Sequence, residues 1–184
     1  MGSVAVHLRP SDPMAATLAL VAAVALGDAV KALAPAVPFQ FKWPNDLLID
    51  GAKCAGILLE RSGNAVVIGM GVNLVSAPDL PDRRTACFAD YGVRLDRDHF
   101  AAALALAMQD ALMLWRGEGM RSIIAKWLAL AHPIGTPLRV SEQGIEGLFH
   151  GLTADGALRL KRGEEILEIH AGDVELQRGV KEGM

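Results

Sequence analysis

Two lysines, an asparagine and an aspartate crowd one short stretch, KWPNDLLIDGAK, at Lys42, Asn45, Asp46 and Lys53. Taken singly they are ordinary: Pro44, Asn45 and Asp46 suit a turn between strands, and a lysine on either side suits a solvated edge. Taken together they describe a strand running into a turn whose amide and carboxylate can reach a ligand. Lys53 then enters the neighbouring strand beside the small Ala55-Gly56 step. Such a set suits an anion. Lysine is a point charge for a carboxylate or a phosphate, and Asp46 offers hard oxygens to magnesium, an ion commonly shared with substrate phosphates.

Further on, Gly69-Met70-Gly71-Val72-Asn73 places G-x-G at the end of an apolar run. The third glycine of a dinucleotide fingerprint is missing, and no helix opens there. Gly69 and Gly71 instead permit close backbone approach, by a strand or by a ligand, and Asn73 could read a base or ribose through its amide. The five histidines, His7, His99, His132, His150 and His170, form no spaced cluster and are read as structural or surface residues. Cys54 and Cys87 have no metal-ligand spacing, and no Ser-His-Asp or Cys-His arrangement is legible.

These groups need a scaffold. A chain of 184 residues with 52% hydrophobic content can bury a real core. Its net charge of -3 and pI near 5.9 argue against a sequence-independent nucleic-acid binder. The apolar run 15–26 is shorter than a membrane span and is followed by Asp28 and Lys31, so it reads as a buried helix. Two cysteines and the lack of an export signal lead to the expectation of a reducing cytoplasm.

Alternation predicts a strand over 3–8, broken by Pro10, Ser11, Asp12 and Pro13, which can cap a helix over 14–33. Strands are predicted at 39–43, 46–49, 54–60 and 65–74, joined by Asn-Asp, Asp-Gly and Gly-Asn pairs as an antiparallel meander. A polar loop over 75–93 precedes helices at 97–115 and 120–130. Beyond Pro133 five short strands, 138–140, 145–152, 157–160, 166–169 and 174–176, suggest a small barrel. The expected class is α+β: a mixed sheet backed by helices over residues 1–133, then the small barrel over 134–184.

KWPNDLLIDGAKCAGILLE followed by VVIGMGVNL closely resembles the catalytic core of bacterial biotin protein ligases, in order and in spacing. That pattern is a K-W-P-N-D turn, a K-x-A-G-I-L strand and a G-x-G-x-N strand. The later GIEGLFHGLTADGALRL and HAGDVEL resemble the SH3-like domain that closes these enzymes. The resemblance implies an ATP-dependent ligase that makes biotinyl-5'-AMP and transfers biotin to a lysine of a biotin carboxyl carrier domain. It implies biotin and ATP as substrates with magnesium, and no nucleic-acid or membrane partner; a homodimer is left open. By the same pattern Lys53 and Asp46 are catalytic, and Lys53 and Gly56 line the biotin site. Lys42, Asn45, Asp46 and Asn73 face the nucleotide, with magnesium on Asp46.

The family also carries an upstream Gly-Arg-Gly-Arg-x-Gly loop and an earlier Ser-Thr pair, neither of which stands in this sequence. The expectation is therefore a ligase core lacking its N-terminal biotin-binding loop, without a DNA-binding domain. Two alternatives stand beside it: a lipoyl ligase of the same superfamily, and a noncatalytic remnant that keeps carrier-protein or self-association surfaces.

Overall fold

The computed structural model describes residues 1–141 and 143–177. Position 142 and the last part of the expected second domain, 178–184, lie outside the described residues. Strands β1 (Gly2–His7), β2 (Gln40–Lys42), β3 (Asp46–Ile49), β4 (Ala52–Ser62) and β5 (Ala65–Val72) form one sheet in the order β1-β5-β4-β3-β2. The α+β class is as expected, but every ladder between these strands is antiparallel. Among the described residues, parallel pairing, which a mixed sheet required, is confined to the isolated bridges Phe41–Ala131 and Lys53–Thr85.

Turn chemistry explains the meander. Asp50 and Gly51, with φ of 48° and 73°, close β3 onto β4 in a two-residue loop whose positive φ values match strand twist. Gly63, at φ 58°, opens the next two-residue loop, between β4 and β5. Alternation then divides the faces: Ile57, Val66, Ile68 and Met70 are buried, whereas Leu58 and Val67 are exposed on the side that also carries Gly69 and Gly71.

The helices are α1 (Leu18–Leu33), α2 (Arg97–Glu118) and α3 (Met120–Leu128), and α1 packs on β4, β5, α2 and α3. The segment Ala15–Leu33 proves longer than the run counted in the sequence and is long and apolar enough to cross a membrane, yet two thirds of it is buried inside this fold. Gly27 lets it lie close to the sheet, since a Cβ there would stand 2.6 Å from Phe41 Cζ. Asp12 does not cap this helix, whose N-terminus has no side-chain cap; it instead pairs with Arg116 at 3.1 Å. Asp96 does cap α2, accepting from the Asp98 and His99 amides. The expected loop over 75–93 contains one 3-10 turn at Phe88–Tyr91.

The remaining strands, β6 (Pro137–Val140), β7 (Ile145–Leu152), β8 (Leu158–Arg162), β9 (Glu165–Ile169) and β10 (Val174–Leu176), make a second antiparallel sheet in the order β10-β6-β7-β8-β9. A register shift between Phe149 and Leu152 bends β7. The sheet docks on the first through the Asp155-Gly156 turn, whose carbonyl at Gly156 accepts from Trp43 Nε1 at 3.1 Å.

Candidate active site

The fold brings Lys42, Asp46, Lys53 and Gly56 to one place. Asp46 begins β3 opposite Gly56 on β4. Regular pairing would have set Cys54 opposite Leu48 and turned Lys53 to the other face. A register shift between Leu47 and Leu48 sets Lys53 opposite Leu48 instead, which puts it on the same face as Asp46 and Gly56. Lys53 Nζ then lies 2.5 Å from Asp46 Oδ1, as an ion pair without a hydrogen bond of ordinary geometry. Gly56 keeps the space open, because a Cβ there would stand 3.1 Å from Lys53 Cε and 3.2 Å from Nζ.

The two lysines differ. Lys42 Nζ lies 3.0 Å from Asp46 Oδ2 and donates to Asp173 Oδ1 at 3.1 Å and to the Val174 carbonyl at 2.7 Å. An ammonium has three N–H donors, so Lys42 has a protein partner for each. Its side chain is only 10% exposed, against 29% for Lys53, which has one carboxylate partner and donors to spare for a ligand. The structure thus gives the expected nucleotide-facing Lys42 an inward, supporting position.

Both asparagines also serve the backbone. Asn45 Nδ2 donates to the Ile57 carbonyl at 2.7 Å and so holds the turn against β4. Asn73 Nδ2 donates to the Ala86 carbonyl at 3.0 Å and lies 3.4 Å from that of Lys53. Part of the 75–93 loop runs beside Lys53, whose N–H donates to Arg84 O and whose carbonyl accepts from Ala86 N. Arg83 and Arg84 enter the site from this segment.

Two clefts meet at Lys53. One, of about 490 Å³, is mostly apolar and is lined by Ala55, Gly56, Ile57, Gly69, Gly71 and Asn73. The other, of about 780 Å³, is more polar and is lined by Lys42, Asp46, Arg83, Arg84, Asp173 and Glu175. Lys53 and Leu80 border both. An apolar slot joined to a charged cleft at a lysine fits a molecule with an apolar body and a terminal carboxylate, meeting a phosphate ester. A third cavity, of about 610 Å³ between Val4 and Met108, lies apart from the lysines.

Magnesium on Asp46 does not fit this arrangement. The carboxylate is 3% exposed and each of its oxygens faces an ammonium group, so neither is free for a cation. Among the described residues no group of three or more His, Cys, Asp or Glu side chains is placed to hold a metal.

Asp173 is a site residue that motif reading missed, its only sequence signal being the GDV that opens β10. Burial alone would raise its carboxyl, but Lys42, the Val174 N–H and Arg83 outweigh that and hold it below the usual carboxylate range. His132 is buried at 7% exposure with Nε2 unpartnered, and burial together with the charge of Lys42 pushes its imidazole down to about 4.

Residues 2–129 match the Biotin/lipoate A/B protein ligase family, and residues 138–177 match the Biotin protein ligase C terminal domain. The chain belongs to this family of ligases. It is 38% identical over 174 residues to the biotin–[acetyl-CoA-carboxylase] ligase of Paracoccus denitrificans, across 84% of this chain and 71% of that protein. It is 33% identical over 163 residues to the enzyme of the same name from Mycobacterium tuberculosis, covering 85% of this chain and 61% of that one. With the bifunctional ligase/repressor BirA of Bacillus subtilis it shares 32% over 185 residues, 92% of this chain but 56% of the relative. In structure it resembles the biotin protein ligase of Aquifex aeolicus solved with biotin and ATP, with a TM-score of 0.82 at 23% identity, over 96% of this chain and 77% of that one.

Proposed function

We propose that this chain is a biotin–protein ligase, with Lys53 as the residue on which the two substrates converge. The observation that carries this is the meeting of an apolar slot and a charged cleft at one partly exposed lysine. Biotin's ring and valeryl chain fit the slot over Gly56, Gly69 and Gly71, and its carboxylate comes to Lys53. ATP lies in the charged cleft, near Arg83 and Arg84. A carboxylate oxygen attacks the α-phosphorus, the bond to the β-phosphate oxygen breaks, and biotinyl-5'-AMP and pyrophosphate form. The amine of a carrier-protein lysine then attacks the acyl carbon, losing a proton and expelling AMP. The nucleophile belongs to the partner, which accounts for the lack of a nucleophilic set among the described residues. What the enzyme supplies is placement and charge.

Asn45, Asp46, Asn73 and Lys42 act in this reading by fixing Lys53 and the walls of the cleft. The expected magnesium on Asp46 is not retained, and no step passes through it. The carrier is read as a biotin carboxyl carrier domain and the setting as the cytoplasm, where ATP is abundant. The match of residues 138–177 to a domain named for biotin ligases favours biotin over lipoate.

The test is pyrophosphate release with biotin and with lipoate in the presence of ATP, followed by label transfer to an apo carrier domain. Biotin-dependent release and transfer support the reading. Release with lipoate alone assigns a lipoyl ligase, and carrier binding without any release assigns a noncatalytic remnant.

A further inference from the structure

Asp173 lies 131 residues from Lys42 in sequence, immediately before β10 of the small sheet, and its Oδ1 takes the Lys42 ammonium at 3.1 Å. The same oxygen accepts from the Val174 N–H at 2.9 Å, which fixes the side chain, and the Val174 carbonyl takes a second Lys42 donor. Two of the three contacts of Lys42 therefore come from the small sheet. The third is Asp46, whose other oxygen holds Lys53. Charges alternate along the row Asp173, Lys42, Asp46, Lys53, and only the two ends reach solvent to any extent.

We infer that Asp173 is a positioning residue for the ligase reaction, acting through Lys42 and Asp46 to hold the Lys53 ammonium where an anionic substrate meets it. The inference rests on the reading of this cleft as a carboxylate and phosphate site. Its physical basis is competition for one carboxylate. With Asp173 in place, Lys42 is shared between two aspartates, and Asp46 keeps an oxygen for Lys53. Without it, Asp46 is the sole anionic partner of the buried Lys42 among the described residues. It is drawn toward that carboxylate, and Lys53 loses the anchor that orients it. An interface ion pair with no such role would leave Lys53 untouched.

The sign of the effect separates the two cases. Removing a negative charge beside a phosphate cleft should, by Coulomb's law alone, tighten an anion. Losing the support of Lys53 should weaken it. The experiment measures binding of inorganic pyrophosphate by calorimetry, and adenylation kinetics, for the full chain and for Asp173→Ala, Asp173→Glu and Lys42→Met. Asp173→Ala is expected to weaken pyrophosphate binding and to lower kcat for adenylation by about tenfold each. Asp173→Glu is expected to recover most of both, and Asp173→Ala is expected to add nothing in a Lys42→Met background. The side chain of Asp173 is 45% exposed, so any fall in the urea unfolding midpoint of Asp173→Ala should be smaller than that of Asp46→Ala, and binding and kinetics are compared under conditions where every variant is folded. Tighter or unchanged pyrophosphate binding in Asp173→Ala, or an effect that persists without Lys42, overturns the inference. Absence of any adenylation by the unsubstituted chain would instead count against the ligase reading, and pyrophosphate binding would still decide the role of Asp173.

Discussion

The Lys53 ammonium reaches the buried carboxylate of Asp46 across a register shift that turns it onto the face it would otherwise have left. A lysine held in this way is preorganised: its direction is set before any ligand arrives, while its exposure leaves donors for one. The consequences can be measured residue by residue.

Replacing Lys53 by Ala should lower the rate of adenylate formation by about 10²- to 10³-fold, the scale of losing one preorganised donor to developing charge. Single-turnover assays with biotin and ATP measure it. A rate within about threefold of the parent, a loss under roughly 1 kcal/mol, would remove Lys53 from the reaction.

Asp46 should matter to the fold as well as to the site. Its side chain is 3% exposed between two ammonium groups, so Asp46→Ala leaves Lys42 without its partner in β3. Breaking a buried pair from one side costs about 3–5 kcal/mol, and chemical denaturation should show a loss on that scale. A loss below about 1 kcal/mol would mean that the carboxylate is better hydrated than its burial indicates.

Gly56→Ala gives the opposite pattern. The new methyl would stand 3.1 Å from the flexible end of Lys53, which can move by a few tenths of an ångström at little energetic cost. Stability should stay within about 0.5 kcal/mol while adenylation falls, because the atom that moves is the ammonium proposed to meet substrate. Equal rates for variant and parent would show that the space over Gly56 is not used.

Gly156 tests how the two sheets are joined. It has φ of 89°, and a Cβ would stand 2.7 Å from Leu20 Cδ1. Gly156→Val should therefore combine backbone strain with overpacking and destabilise by about 2–4 kcal/mol, read from thermal unfolding. The indole of Trp43, which donates to this residue's carbonyl, should report the loosened contact by a shift in fluorescence.

His132 should make the protein acid-sensitive. Its imidazole, pushed down to about 4 by burial and by Lys42, is neutral in the folded chain, whereas in the unfolded chain it titrates near 6.5. The unfolded state thus binds the extra proton between these values. The stability contributed by neutral His132 is complete above about pH 6.5 and is lost as pH falls toward 4, by at most roughly 3 kcal/mol. Urea midpoints from pH 7 to 4 should fall less steeply in His132→Gln; parallel slopes would place the acid sensitivity elsewhere.

Much of the scaffold could be read in advance, where local chemistry decides it. Asp50-Gly51 names its own hairpin, because few other pairs accept two positive φ values, and the apolar period from Phe100 onward marks α2, whose Asp96 cap the fold then reveals. Asp12 shows the limit of such signals. Its type and place suit a cap, but Arg116, more than a hundred residues on, offers a charged partner and takes it. The same limit applied in the site: Asn45 and Asn73 line the apolar slot, and only the fold shows that each also gives Nδ2–H to a backbone carbonyl, of Ile57 and of Ala86.

The sequence by itself determined the inventory and its address: which charged groups stand in the turn, that glycines line the strands beside it, and that helices and hairpins surround them. These follow from residue type and from neighbours a few positions away. Only the tertiary structure decided what each lysine does. Lys42 and Lys53 are chemically identical, and what separates them is burial, the register shift beside Leu47 and Leu48, and a carboxylate delivered from the small sheet. Burial and long-range pairing arise from how whole elements pack, so nothing local to either lysine could have told the buried, fully paired one from the partly exposed one.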